Sequence, residues 1–131
     1  MEKILIDTDV IIDFLRGYKK RIKTIFEKIG KKEITAYIST VSIVELYAGS
    51  DSKDFKKEEI LIQLLDFLKP IPLEPIIAKV AGSLKSKYYL SLADSVIAGT
   101  SIKTGLVLLS FNIKHFRNIP DLHLYYLQSS D

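Results

Sequence analysis

The sequence predicts an α/β protein, specifically a single-domain α/β/α sandwich built on a central, mostly parallel sheet. Short aliphatic runs alternate with longer segments of helical periodicity along the chain, and this alternation is typical of strands joined by crossover helices. With 131 residues and neither an internal repeat nor a Gly/Ser/Pro-rich linker, the chain has the size of one domain. We therefore expect residues 1–131 to form one domain with helices on both faces of its sheet.

The first half of the chain carries the signals of two strands and four helices. The run ILI at 4–6 is continuous and aliphatic, as in a strand covered on both faces, and ITAYI at 34–38 indicates a second strand. After the first run, apolar residues such as Val10, Ile11 and Phe14 recur at helical spacing. These patterns predict, in order, a strand at 3–6, helices at 8–16 and 19–30, a strand near 34–38, and helices at 41–49 and 55–68.

The second half of the chain continues the alternation. KPIPL indicates a short extended segment, LVLLS a buried strand, and Gly105 stands where a helix is expected to stop. The predicted order is an extended segment at 69–73, helices at 75–87 and 92–104, a strand at 106–110, a helical turn at 112–116 and a last strand, HLYYL, at 123–127.

Composition excludes several classes of protein and of site. Hydrophobic residues make up 47% and charged residues 27% of the chain, as in ordinary soluble globular proteins. The absence of cysteine excludes disulfides, thiolate zinc sites and cysteine nucleophiles. The start has no signal-peptide pattern and no apolar run approaches a membrane span, so we expect a cytoplasmic protein without a membrane partner. The net charge of +3 and the pI near 9.0 are compatible with a polyanionic ligand.

Three aspartates punctuate the apolar start of the chain, ILIDTDVIID. Asp7 ends the first strand, whereas Asp9 and Asp13 fall inside the helix that follows, and Asp13 is expected on the surface. One interpretation is local: Asp7 or Thr8 caps the helix and Asp9 favours its positive end. The other is a binding site at the carboxyl end of the strand, where ligands bind in open parallel sheets. Acids elsewhere in the chain favour the second interpretation for Asp7 and leave Thr8 as the cap.

Two of those acids, Glu45 and Asp94, interrupt apolar helix faces in TVSIVELYAGS and LSLADSVIAGTSI. Each also has the spacing of a helix capping box, with Ser42 and with Ser91 respectively. Position in the fold favours a functional role, because Glu45 follows the second strand and the helix of Asp94 begins at the same edge of the sheet. Both acids are therefore expected at the edge to which Asp7 belongs.

The segment SFN places Ser110 and Asn112 just beyond the strand LVLL, at the same edge as Asp7, Glu45 and Asp94. Three carboxylates in a partly dry cleft do not all stay ionised without a cation, since like charges at close range disfavour one another. Carboxylate, amide and hydroxyl oxygens suit Mg²⁺ or Mn²⁺ and suit zinc poorly. The sequence therefore predicts a divalent-metal site at this edge.

Four pieces of the chain carry a resemblance to a known family: ILIDTDVIIDFLRG, ISTVSIVELYAG, LSLADSVIAGTSIKTGLVLLSFNIKHF and IPDLHLY. In order and extent they resemble the PIN-domain ribonucleases, specifically the VapC-type toxins of toxin–antitoxin pairs. The resemblance implies a PIN-like sandwich and an acidic Mg²⁺ or Mn²⁺ site that hydrolyses RNA phosphodiesters. It carries the family's first three acids onto Asp7, Glu45 and Asp94. The fourth position, an acid in many members, is Asn112, a departure that weakens the case for a second metal.

The expected chemistry is metal-assisted hydrolysis. A cation held by Asp7, Asp94 and Glu45 would make water more acidic and stabilise charge on the phosphate. Glu45 could instead hold the water as a general base, and both roles stay open. Asp9 is either an outer group that orients a metal-bound water or a first-turn acid favoured by the helix dipole. Ser110 is a second candidate for such an outer role.

Three features concern partners. The segment YKKRIKTIFEKIGKK sets a row of cations on the second helix, either as a solvated face or as a contact for RNA phosphates. The helix at 55–68 has too many apolar residues for one buried stripe. It either packs on two sides or offers a surface to a cognate antitoxin or to a second copy in a homodimer. His115 is expected to be a surface or packing residue rather than a base.

Two other function classes stay open beside a ribonuclease toxin. The segment DTDV also fits the start of haloacid-dehalogenase phosphatases, with Asp7 as nucleophile and Asp9 as acid/base. The surroundings of LLSFN lack the paired acid that such an enzyme needs. Asn112 also leaves open a PIN-like domain that binds RNA or a partner without cutting, although the three intact acids argue against it.

Overall fold

A computed structural model describes residues 1–17, 19–49 and 53–127, and within these ranges four strands and seven helices alternate. They are β1 (Glu2–Ile6), α1 (Thr8–Arg16), α2 (Lys20–Gly30), β2 (Ile34–Ser39), α3 (Thr40–Ala48), α4 (Phe55–Leu65), β3 (Lys69–Ile71), α5 (Pro75–Tyr88), α6 (Leu92–Thr104), β4 (Val107–Leu109) and α7 (Ile113–Phe116). No helix in the described ranges is both long enough and apolar enough to cross a bilayer.

The four strands form one parallel sheet in the order β3-β2-β1-β4. β1 lies inside the sheet, with Leu5 opposite Tyr37 of β2 and Ile6 opposite Leu109 of β4. Because every pair of neighbouring strands is parallel, the carboxyl ends of the strands lie at one edge. This arrangement confirms the predicted α/β fold and places the residues that follow each strand on the same side of the molecule.

Apolar side chains cover both faces of the sheet, because successive residues of a strand point to opposite sides. Ile4 and Ile6 belong to a cluster with side chains of α1, α2 and α4. Leu5 belongs to a second cluster with side chains of α6 and α7. All three are fully buried. The protein is therefore a three-layer α/β/α sandwich, as the alternating sequence pattern predicts.

The segment at 123–127 does not form the predicted last strand. Leu124 makes one isolated parallel bridge, to Leu108. The Leu108 N–H donates to the His123 carbonyl, and the Leu108 carbonyl accepts from the Tyr125 N–H, each at 2.8 Å. These two bonds to Leu108 and the single bridge keep the segment beside β4 without extending into a ladder. The strand prediction is wrong at this point, although the segment does lie beside β4.

Asp13 is also not where the sequence suggests, because its side chain is buried rather than on the surface. Position 13 lies one helical turn after Val10, on a side of α1 that the protein covers. Lys19, the residue before α2, places its Nζ 3.5 Å from Asp13 Oδ1. A cation from the next element therefore covers this carboxylate, which no local pattern in α1 indicates.

Gly99 sets the distance between α5 and α6. A Cβ atom at this position would lie 3.2 Å from the Ala81 nitrogen and 3.3 Å from the Ile77 carbonyl oxygen. Backbone atoms of a helix cannot turn aside as a flexible side chain can, so a side chain here separates the two helices. The packing matters for the site described below, because α6 carries Asp94.

We expect Gly99→Ala to lower the free energy of unfolding by about 1–3 kcal/mol, the usual cost of overpacking, even though alanine is the better helix former. Gly82→Ala on α5 is the matched control, because nothing lies within 4 Å of a Cβ there; it should stabilise the protein by up to about 1 kcal/mol. Urea unfolding of both variants measures the difference. A Gly99→Ala protein as stable as Gly82→Ala would show that α5 and α6 separate without cost.

Candidate active site

The carboxyl edge of the sheet brings together residues from four parts of the chain. Asp7 follows β1, Ser110 follows β4, and α3 begins directly after β2. Asp94 lies in the first turn of α6, whose antiparallel course to β4 starts it at the same edge. The convergence of these polar residues arises from parallel topology, since every βα connection leaves the sheet on this side.

Asp7 is the centre of the cluster. It is only 3% exposed, its Oδ1 accepts a hydrogen bond from the Thr8 N–H at 2.8 Å, and its Oδ2 accepts one from Ser110 Oγ at 2.6 Å. Its extended backbone, with φ −73° and ψ 155°, makes it the N-cap of α1. The expectation that Thr8 caps this helix is therefore wrong, because Thr8 is already its first residue.

Thr8 instead connects α1 to Glu45 on α3. Thr8 Oγ1 donates to Glu45 Oε1 at 2.6 Å, so a buried hydroxyl orients a carboxylate that is otherwise exposed. The capping box that the spacing of Ser42 and Glu45 allows does not form, because Ser39 caps α3 and accepts from the Val41 N–H. Ser42 instead lies inside α3 and is fully buried.

Asp9 takes a larger part in the cluster than its position in a first turn suggests. Its Oδ2 accepts from the Phe111 N–H at 3.2 Å. Its Oδ1 is buried and has no hydrogen-bond partner among the described residues. A buried carboxylate oxygen without a partner is costly, and such an exception calls for an explanation, for example an ion or water.

Charge repulsion accompanies this burial. The pKa of Asp7 is raised to about 7. Burial is the largest cause, the neighbouring charge of Asp9 adds to it, and the charge of Asp94 adds less. The hydrogen bonds from Ser110 and Thr8 oppose the rise. Burial likewise raises the pKa of Asp9 to about 6, with Asp94 contributing and the Phe111 N–H opposing. Asp7, Asp9 and Asp94 therefore form one electrostatically interacting group that favours gaining positive charge, as a proton or as a cation.

Asp94 combines a structural position with an accessible carboxylate. Ser91 is the N-cap of α6 and accepts from the Asp94 N–H at 3.1 Å, so the cap expected from their spacing is present. Asp94 Oδ2 lies 3.2 Å from His115 Nδ1. The His115 side chain is 57% exposed, as expected for a surface residue, but sequence reasoning did not anticipate its contact with a site acid.

Asn112 approaches the cluster through its backbone. Its N–H donates to Ser110 Oγ at 2.9 Å, and Ser110 in turn donates to Asp7. Asn112 precedes α7 without a side-chain capping bond, and it is half-buried. The turn from Ser110 to Asn112 thus holds two acids, since the Phe111 N–H between them binds Asp9.

Lys19 is a site neighbour that the sequence did not reveal. Its Nζ lies 4.1 Å from the centroid of the Phe111 ring, and its charge lowers the pKa of Asp9 against the effect of burial. Lys19 and Asp13 therefore support the turn that binds Asp7 and Asp9. The lysine-rich segment was a visible signal, but only the fold identifies which of its cations faces the site.

The donor set fits a hard divalent cation. Among the residues that the structure describes, no three His, Asp or Glu side chains are already arranged to hold a metal ion. Mg²⁺ does not require such a cage, because it keeps several waters and is usually bound by one or two carboxylates plus substrate phosphates. The buried, partnerless Asp9 Oδ1 and the raised pKa values of Asp7 and Asp9 are consistent with a site organised around missing positive charge.

Comparisons with known proteins give similarities over nearly the whole chain. Residues 4–122 match the family model described as PIN domain. A protein of Mycobacterium tuberculosis named Ribonuclease VapC19 is 32% identical over 126 residues, covering 90% of this chain and 95% of its own. Ribonuclease VapC of Rickettsia bellii is 29% identical over 131 residues, covering 92% of this chain and 93% of its own.

Solved structures resemble the fold closely. The VapBC2 structure from Rickettsia felis, bound to a promoter DNA fragment, has a TM-score of 0.81 at 23% identity and covers 94% of this chain and 97% of its own. A toxin–antitoxin complex from Klebsiella pneumoniae has a TM-score of 0.75 at 26% identity, with 94% and 98% covered. These matches set aside the haloacid-dehalogenase interpretation of DTDV. The chain belongs to the PIN-domain family.

Proposed function

We propose that this protein is a Mg²⁺- or Mn²⁺-dependent ribonuclease and the toxin of a toxin–antitoxin pair, acting in the cytoplasm. The observation that carries the proposal is the group formed by the buried Asp7 and the half-buried Asp9 and Asp94, in which two pKa values are raised and one carboxylate oxygen has no partner among the described residues. Similarity to proteins named ribonucleases supports RNA as the substrate.

Asp7 and Asp94, with Glu45, are the residues that would hold the cation. Asp9 and Ser110 would orient these ligands or a cation-bound water without touching the cation. When bound, the cation supplies positive charge that stabilises the phosphate in the transition state and makes water more acidic. The hydrogen bond from Ser110 to Asp7 Oδ2 holds that carboxylate in one orientation, as hydrogen bonds to metal ligands commonly do. The Phe111 N–H does the same for Asp9.

In the proposed reaction Glu45 accepts a proton. It is exposed, and Thr8 Oγ1 orients its Oε1 at 2.6 Å, so a carboxylate at the rim of the cluster can accept a proton from the attacking water. The same carboxylate oxygens could instead bind the cation. A general base and a metal ligand affect the kinetics of cleavage differently. Asn112 adds no negative charge to the site, which favours a single tightly bound cation.

The apolar surface between α2 and α4 is the candidate for the antitoxin. A groove of about 290 Å³ opens there, lined by Phe14, Phe26, Ile29, Ile60, Leu64 and Phe67. Ile60 is 51% exposed and Phe67 is 59% exposed, whereas monomeric proteins rarely expose contiguous apolar patches without an interaction role. Solved relatives titled toxin–antitoxin complexes favour an antitoxin over a second copy as the partner that covers the groove.

Cleavage of single-stranded RNA is expected only with Mg²⁺ or Mn²⁺, and Asp7→Asn should reduce it at least about 100-fold. Asparagine keeps the N-cap of α1, so the loss reports charge rather than folding. Asp66→Asn, at an exposed aspartate that ends α4, is the matched control and should retain activity. Gel-based cleavage assays measure both, and undiminished activity in excess EDTA, with contaminating nucleases excluded, would refute metal dependence.

Without metal, stability should fall as the pH rises from about 4 to about 7. In that window the folded protein keeps protons on Asp7 and Asp9, because their pKa values are raised to about 7 and about 6. The unfolded chain has already lost these protons, so the free energy of unfolding decreases as the pH rises. Asp9→Asn should flatten the pH dependence relative to wild type, and Asp66→Asn should not. Urea unfolding in chelator at several pH values measures this, and equal slopes in wild type and Asp9→Asn would contradict it.

Phe67→Glu should leave the protein toxic to cells but prevent its neutralisation by the antitoxin. A charge in the groove disfavours an apolar partner, while the exposed position leaves the fold intact. Cells expressing the variant should therefore still arrest but should no longer be rescued by co-expression of the cognate antitoxin. Ile76→Glu, at an exposed residue of α5, is the control and should be rescued. Rescue of both variants would exclude the groove as the antitoxin surface, and a change in oligomeric state of Phe67→Glu would assign the groove to a second copy.

A further inference from the structure

A second cavity adjoins the acid cluster on the face of the sheet opposite the groove between α2 and α4. It has a volume of about 290 Å³ and is lined in part by Tyr88, Tyr89, Asp94, Lys114, His115 and Asn118. This is near the lower end of the range for small-ligand pockets, about 300 Å³. Asp94 belongs both to this cavity and to the acid cluster, so an occupant would lie next to the reacting phosphate.

Tyr89 presents its ring to solvent from an unusual backbone position. It is 93% exposed, and with φ 56° and ψ 39° it ends α5 in the left-handed conformation. Glycine is the usual residue at such a helix end, because other residues pay about 1–2 kcal/mol there. The ring gains no burial in return, so its packing does not explain why a tyrosine occupies this position.

The surroundings of the ring are cationic and polar. Lys114, His115 and Asn118 are exposed residues that also line the cavity, and they supply a charge and hydrogen-bonding groups. Tyr88 packs against the apolar cluster of this layer, and Lys87 Nζ lies 5.5 Å from the centroid of its ring. An exposed aromatic ring and a lysine that line one cavity form a combination suited to single-stranded nucleic acid, where bases stack on rings and cations bind the phosphates.

We propose that this cavity binds the nucleotide next to the scissile phosphate of a single-stranded RNA, with its base stacked on Tyr89 and its backbone beside Lys114. The proposal rests on the ribonuclease function proposed above and extends it to a subsite that positions substrate. Because every base has a π face, stacking on Tyr89 contributes affinity for single strands. The side chains of His115 and Asn118 provide the groups that can distinguish one base from another.

The experiment compares enzyme and substrate changes at the same contact. The substrates are a short single-stranded RNA that the protein cleaves and a series in which one nucleotide at a time is abasic. Tyr89→Ala should lower kcat/KM on the intact RNA roughly 5- to 100-fold, the usual range for loss of one stacked base, mainly through KM. Tyr89→Phe keeps the ring and should cleave as wild type does, as should Phe55→Ala, which removes an exposed aromatic residue of α4.

An abasic nucleotide beside the cleaved bond should cost wild type the same factor and should cost Tyr89→Ala nothing further. Equal cleavage by wild type and Tyr89→Ala, or additive losses, would overturn the subsite while leaving the ribonuclease function intact. Should wild type cleave no RNA with either metal, the proposed function fails, and binding of fluorescently labelled RNA in chelator decides the subsite separately. Weaker RNA binding by Tyr89→Ala would then uphold the contact between RNA and Tyr89, and unchanged RNA binding would overturn it.

Discussion

The burial of Asp7 at the junction of β1 and α1 is the constraint on which the site depends. A carboxylate that is 3% exposed is tolerated only with hydrogen bonds or opposite charge. The Thr8 N–H and Ser110 Oγ provide two bonds, but the nearest charges, Asp9 and Asp94, are also negative. The fold therefore holds these acids together at a cost, which a cation relieves.

Parallel topology explains why such a cluster forms at this place. Each strand delivers the residue after it to the same edge, and the helix that leads into β4 begins there too. The turn after β4 then supports the acid after β1, through Ser110, and the acid one turn into α1, through the Phe111 N–H. Gly99 lets α6 approach α5, which fixes where Asp94 lies relative to this group.

Much of this arrangement can be predicted from sequence, because it follows from periodicity and order along the chain. The alternation of elements indicated the parallel sandwich, and the acids after strands indicated the edge where Asp7, Asp94 and Ser110 meet. What local patterns could not provide are contacts between distant segments. The burial of Asp13 under Lys19, the link from Thr8 to Glu45 and the partnerless oxygen of Asp9 all require the tertiary structure. The missing last strand depends on how many residues of 123–127 pair with β4, where only Leu124 forms a bridge. The cap at Asp7 depends on a backbone conformation that either Asp7 or Thr8 could have adopted.

The two faces of the sheet carry chemically different surfaces. The apolar groove lies in the layer of α2 and α4, while the cavity with Tyr89 lies in the layer of α5, α6 and α7. A protein partner on one layer and RNA on the other would make contacts with separate sets of side chains. Such a division lets variants affect neutralisation and catalysis independently.

The most direct measurement is a carbon-13 NMR titration of the Asp7 carboxyl group, assigned with Asp7→Asn, in chelator and in excess Mg²⁺. We expect a pKa of about 7 in chelator, because burial and the charge of Asp9 raise it, and a pKa well below that value in Mg²⁺, because a cation favours the ionised form. A pKa in chelator near the ordinary aspartate value of about 3.9, or one that Mg²⁺ leaves unchanged, would contradict the claim that these acids are held together for a cation.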